Sequence, residues 1–269
     1  LQLMKHAMDL SADESPQSEV AYFYLEFARM FMQYRGYHMA WRLQYLTDLS
    51  RLPDYEPGYG HEYDQRLQGA PVDAQGHPVL HQLPQRFETA KSDGERWRYL
   101  LMRTVQTDNR LDNEVKYNFA AFHHQQFGVQ TLSSYGAFFF GRKAIGEEDL
   151  TNDQSGPYAV HTLADTETIA KLAVGVRRFN LPDEFNYIKI LNQIIQTPDT
   201  GYANQATRLL AQIYENRRQY DRAVEYWQLY QNYHRSEARQ HIDQIIKSWG
   251  IFEPVGFQPS GRHPTVEYR

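Results

Sequence analysis

Residues 210–230 read LAQIYENRRQYDRAVEYWQLY, and the spacing inside this stretch decides the fold. Leu210-Ala211 is followed by Tyr214, then by Ala223 and Trp227, with Ala211 and Ala223 twelve residues apart. These offsets are those of a tetratricopeptide unit: helix, turn and helix, with small residues where the two helices cross and aromatics beside the crossing. The small residues matter because a larger side chain at either alanine would push the helix axes apart, leaving Tyr214 and Trp227 to fill the flanking space.

An earlier stretch repeats the arithmetic. Tyr24, Phe27-Ala28 and Phe31 precede Ala40, which again stands twelve after Ala28, and Tyr37 takes the place that Tyr220 holds in the later unit. Gln44 departs from the pattern by standing where Trp227 stands. Two units in one register predict an all-α, tetratricopeptide-like stack of helical hairpins, an α-solenoid, rather than a plain helical bundle.

Working outward, Glu19 to Gln33 and Tyr37 to Leu49 carry 3.6-residue apolar stripes and read as a helical hairpin within residues 1–50. Residues 51–93 are too rich in Pro and Gly for a long helix, and inside them PVDAQGHPVLH (71–81) reads as a β-hairpin turning at Gln75-Gly76. Helical periodicity returns over Gly94 to Val105 and Asn113 to Gln126, and the region 94–250 reads as helical repeats interrupted by a second long loop, 132–164. From Asp165 onward Ile169, Leu172, Ala173 and Val176 fall at i, i+3, i+4 and i+7, which predicts another helix, and Pro182 is placed to open the next through Phe185, Ile188, Leu191 and Ile195. Tyr202 to Asn216, Asp221 to Tyr233 and Ser236 to Trp249 predict three more, with no strand among them. Within residues 251–269, Thr265 to Tyr268 alternate after the Pro-Ser-Gly turn at 259–261, and the segment reads as the short β-like start of a following domain, so both ends look cut from a longer protein.

Composition narrows the function classes. The chain has 269 residues, 41% hydrophobic and 23% charged, enough for a sizeable core. Its formal charge of −5 lacks the basic field that phosphate neutralisation needs, so no nucleic-acid partner is expected. The absence of cysteine excludes disulfides, thiolate nucleophiles and Cys-ligated metals. No run of about 18 apolar residues is present, so membrane contact is expected only through segments outside this sequence.

The first helices of stacked hairpins line a concave face that receives peptides or neighbouring domains. In the early unit that face would carry Tyr22, Leu25, Arg29, Met32 and Gln33. In the late unit it would carry Gln205, Arg208, Gln212, Glu215 and Asn216. The bland alternative is that these are solvated or inter-repeat positions.

Reactive-looking residues carry less. His61-Glu62 begins like a zinc-protease motif, but Gln65 stands where the second histidine is due. His123 and His124 are adjacent, so on a helix they point about 100° apart and cannot share one metal unaided. His77 and His81 flank the hairpin and read as ordinary loop residues, and Gly141-Arg142-Lys143 as a helix end or loop contact. No metal ligand set, cofactor or catalytic residue is assigned, although Glu147, Glu148 and Asp149, or Asp183 and Glu184, are the acids an α/α-type glycoside-active enzyme would use. Glycan binding is a further alternative, with Tyr55, Tyr59, Tyr63 or Phe138 to Phe140 as stacking platforms.

At DGERW (93–97), QFGVQT (126–131), HTLADTETIAKLA (161–173), LPDEFNYIKI (181–190), QIYENRRQYDRAVEYW (212–227) and IIKSWGIFEPVGFQPSGRHPTVEYR (245–269), the chain resembles the helical segment of large bacterial alpha-2-macroglobulin-like proteins. The resemblance implies tetratricopeptide-type helices ahead of β-sandwich domains, in a periplasmic, envelope-associated or secreted protein of the endopeptidase-inhibitor type. It also implies protease trapping by a bait region and a Cys-Gly-Glu-Gln thioester, neither of which these residues can supply. What remains is a non-catalytic scaffold or docking module for a protein or for a neighbouring domain of the same chain.

Overall fold

The computed structural model describes residues 2–10, 17–32, 37–50, 69–129, 159–197 and 201–247. The described protein is mainly helical, with one two-stranded sheet. Its helices are α1 (Gln2–Leu10), α2 (Gln17–Met32), α3 (Asp93–Thr107), α4 (Asp112–Phe127), α5 (Tyr187–Ile195), α6 (Gly201–Asn216), α7 (Tyr220–Tyr230) and α8 (Arg235–Ile246), and the hairpin is β1 (Glu167–Leu172) with β2 (Gly175–Asn180). Residues 33–36, 51–68, 130–158 and 248–269 lie outside the described set. With them lie Gln33, the first part of the 51–93 insertion, most of the 132–164 loop, Trp249 and the expected β-start at 251–269.

Two apolar cores organise the chain. The N-terminal one gathers Tyr24, Phe27 and Phe31 of α2 with Ala40, Leu43, Phe87, Trp97, Leu100 and Phe122. The C-terminal one gathers Phe127, Leu172, Tyr187, Leu191, Leu210, Tyr214, Trp227 and Ile242. Phe119 of α4 packs against both.

The early helical hairpin is not the one its periodicity predicts. Tyr37–Gln44 forms a 3-10 helix rather than an α-helix to Leu49, and the helix that packs along α2 is α3, beyond the insertion. The chain after Gln44 is turned instead by α3, whose fully buried Asp93 accepts from the Thr47 N–H at 3.1 Å while Arg96 donates to the Thr47 carbonyl at 2.7 Å. Ser92 caps α3 by accepting from the Glu95 N–H at 3.2 Å, so the helix starts within one residue of the Gly94 expected from periodicity.

The second correction is at 165–180, where a β-hairpin replaces the expected helix. Ile169 pairs with Arg178 and Leu172 with Gly175 in an antiparallel register. The helical spacing misleads here because β1 is buried on both faces, with Thr168, Ile169, Ala170 and Leu172 all buried, so the strand alternation is hidden in a near-continuous apolar run. Gly175 at φ +110° supplies a backbone that a helix does not contain. Pro182 then leads only a short 3-10 turn, Asp183–Phe185, and α5 begins after Asn186, whose side chain accepts from the Lys189 N–H at 3.1 Å.

The hairpin at 71–81 forms as its turn residues predict. Asp73 N–H donates to the His77 carbonyl at 2.8 Å and Gly76 sits at φ +84°. Its first arm adds to β1 in parallel: Ala70 N–H donates to the Lys171 carbonyl and Ala173 N–H to the Ala70 carbonyl, both at 2.8 Å. A Cβ on Gly69 would lie 2.2 Å from the Leu172 carbonyl carbon, so this approach requires glycine.

The C-terminal helices follow the opening stretch. Consecutive helices α5 to α8 pack pairwise, and Ala211, Ala223 and Ala238 are fully buried where they meet. Trp227 of α7 stacks on His241 of α8 at 4.0 Å between centroids, and Tyr214 stacks on Tyr226 at 5.3 Å. Between α6 and α7, Arg218 takes φ +55° while Gln219 N–H donates to the Tyr214 carbonyl and Arg218 N–H to that of Glu215, a Schellman ending with arginine where glycine is favoured.

A polar network fastens the β-hairpin to this turn. Arg217, 1% exposed, donates to the carbonyls of Ala164 (3.1 Å) and Glu167 (2.9 Å) and to the Tyr187 hydroxyl (3.0 Å). Arg222 and the Tyr214 hydroxyl donate to the Asp165 carboxylate, and Gln219 donates to the Leu163 carbonyl at 2.7 Å.

Candidate partner-binding face

The outward side of α2 presents Tyr22 and Arg29, seven residues apart and therefore on one stripe. Arg29 bridges two carboxylates: Glu26 on its own helix, and Glu114 of α4 at 2.6 Å. Glu114 lies in the first turn of α4, where the helix dipole favours an anion. Tyr202, from the first turn of α6, lies near enough to Glu114 for that carboxylate's charge to act on its phenol. Burial, reinforced by the nearby Glu114 carboxylate, pushes the Tyr202 phenol up to about 12. Its ring rests 5.6 Å from that of Tyr117, one turn along α4. Tyr22 adds an exposed ring beside Arg110, which is itself held by Asp108 at 2.7 Å.

α2 and α6 are therefore each tied to the start of α4. Of the sequence-derived residues, Tyr22, Arg29, Gln205 and Arg208 are exposed. Leu25 is instead fully buried in the N-terminal core, where α2 packs on α3, and Met32 is half-buried against the same core.

Residues of α6 also meet α8. Arg208 donates to Glu237 at 2.7 Å, and Glu215 lies 3.1 Å from the Nδ1 of His241. Gln212 and Asn216 are half-buried beside them. The role of Glu114, Tyr117 and Tyr202 was not read from sequence. The signal was available in part, since Glu114 and Tyr117 fall three residues apart on the helix already drawn through Asn113 to Gln126.

The histidines and acids are placed as follows. His123 and His124 diverge: the first sits among Phe119, Phe122, Phe127 and Phe185, the second against Tyr187 at 5.3 Å. His77 is exposed beside Asp73, whereas His81 is buried. Asp183 pairs with Lys189 and Glu184 with Arg98 at 2.8 Å, both acids at the surface. His61, Glu62, Arg142, Lys143, Glu147, Glu148, Asp149 and the aromatic platforms at Tyr55, Tyr59, Tyr63 and Phe138 to Phe140 lie outside the described residues. Among the described residues no cluster of three His, Asp or Glu side chains has metal-binding geometry, and no helix is long and apolar enough to cross a membrane.

Comparison with protein-family models, with characterised proteins and with solved structures finds no match. The functional reading rests on the geometry and the sequence.

Proposed function

We propose that this chain is a non-catalytic, tetratricopeptide-like docking module of a larger macroglobulin-like envelope or secreted protein, and that its face of α2, α4 and α6 receives a protein or a neighbouring domain of the parent chain. The observation that carries this reading is that Arg29 of α2 and the Tyr117–Tyr202 ring pair gather along the start of α4, which brings segments far apart in sequence onto one side. Tyrosine and arginine are the residues that interfaces enrich, because each offers large contact area and directional donors at modest ordering cost. Here the ion pairs already hold the arginines in place, so docking orders less. The stack of α6, α7 and α8 around buried alanines supports the repeat reading by its packing chemistry.

The test uses the β-domain adjoining this segment in the parent protein. Titration calorimetry of that domain into this chain should show binding that Tyr22→Ala and Arg29→Ala each weaken about tenfold, roughly 1.4 kcal/mol, with unchanged circular dichroism. Unaltered affinity in both variants removes the face from the account. Turnover in a peptidase or glycosidase screen removes the non-catalytic reading.

A further inference from the structure

The two cores meet at a seam built around buried histidines. His123 on α4 is 2% exposed inside a box of four phenylalanine rings, with Phe119 at 4.4 Å and Phe185 at 5.4 Å, and neither ring nitrogen has a hydrogen-bond partner among the described residues. His81, 7% exposed, packs its ring into the notch at Gly94, where an added Cβ would lie 2.3 Å away, and its Nδ1 is 3.4 Å from the Ser92 hydroxyl. Arg98 of α3 lies between them: it donates to the His81 carbonyl at 2.8 Å and spreads over Phe185 (4.6 Å) and Phe119 (5.4 Å).

Among the described residues, the charged groups that act on His123 are His81 and Arg98, and on His81 it is Arg98, with no carboxylate acting on either ring. Glu184 is spent on Arg98 at the surface, and His124 turns away toward Tyr187 and Arg217. A proton arriving on either imidazole would place a second cation beside the Arg98 guanidinium, among apolar rings that stabilise no charge.

We propose that this seam is an acid-operated joint, in which protonation of His123 and His81 parts the N-terminal core from the C-terminal core while the α6–α7–α8 stack stays folded. Burial and the neighbouring cation hold His81 down at about 4 and His123 at about 3, so the closed form stays neutral through the mildly acidic range. An opened seam lets water reach the rings, which then titrate near the ordinary value of about 6.5. The open population therefore rises as pH falls below that value. At pH 5 the gain is about 30-fold for each histidine and on the order of 1,000-fold for both. The joint lies beside α4, which also carries Glu114 and Tyr117 of the candidate face.

Deuterium exchange on the full chain at pH 7.5 and pH 5.0, corrected for the intrinsic chemical rate, tests this. Peptides from α3 and from Asp112–Phe122 should lose protection at pH 5.0, while peptides from Leu210–Trp227 keep theirs. His123→Phe, which matches the aromatic box, should recover about 30-fold of the lost protection, and His81→Gln a similar factor. If His123→Phe does not fold, His81→Gln alone decides. Protection in α3 that is equal at both pH values, a loss spread evenly over α3 to α8, or the full loss retained in the folded variants overturns the proposal.

Discussion

Arg217→Met separates the β-hairpin from the helices without changing side-chain bulk greatly, and its cost follows from the bonds around the guanidinium. Three donations end on Ala164, Glu167 and Tyr187, all at 2.9–3.1 Å, from a side chain 1% exposed. Hydrogen bonds from a charged donor contribute about 1.5–3 kcal/mol each. Removing the cation also recovers its desolvation penalty of several kcal/mol, while the acceptors left behind are stranded from water. The net loss is roughly 3 kcal/mol, which for a chain of this length lowers Tm by about 6–12 °C. Thermal and urea unfolding followed by circular dichroism at matched concentration measure it, with the urea midpoint falling at unchanged slope. Arg217→Lys should fall between, because one ammonium cannot reach all three acceptors in the guanidinium's fork. A shift below 1 °C for the methionine variant would refute the view that this network holds the hairpin.

Trp227→Ala should cost about 3–5 kcal/mol by opening a cavity against His241 and Tyr230, and an unchanged midpoint would mean the repeat register is misassigned. Arg218→Gly should stabilise by about 0.5–1 kcal/mol, since relief of the left-handed backbone exceeds the added freedom of the unfolded glycine; a lower Tm would contradict it. Asp165 titrates below the ordinary carboxylate range: burial opposes its charge, but the hydrogen bonds from Arg222 and Tyr214 and the charges of Arg222 and Arg217 outweigh burial. Its contribution is thus present above an unfolded value of about 4 and lost as pH falls through the lower folded one. A stability profile should decline in two stages, histidines first between about 6.5 and 4 and carboxylates below, with Asp165→Asn removing part of the lower stage only.

Much of the architecture was legible wherever one face of a helix is wet. Periodicity drew α3, α6, α7 and α8 within a few residues of their ends, because their polar stripes are real, and Gln75-Gly76 announced the turn that Gly76 makes at φ +84°. It failed at 165–180, where burial of both strand faces removes the alternation that marks a strand. It failed again at Tyr37–Leu49, where the chain's course is set by Asp93 and Arg96 reaching back to Thr47, a contact between residues distant in sequence. The face was half readable for the same reason. Tyr22 and Arg29 follow from helical phase, whereas Glu114 and Tyr202 join them only through the tertiary arrangement of α4 and α6. Arg217 gave no signal, since nothing in NRRQ says which arginine turns inward.

The parallel bridge between Ala70 and Leu172 fixes an order of events as well as a shape. Its partners are so far apart along the chain that closing the intervening loop carries an entropic cost that local helix pairs escape. During synthesis the arm at Ala70 must wait until β1 has left the ribosome, so the N-terminal body emerges with an unpaired strand end. The α6–α7 hairpin needs no such delay and can assemble as soon as its own residues appear.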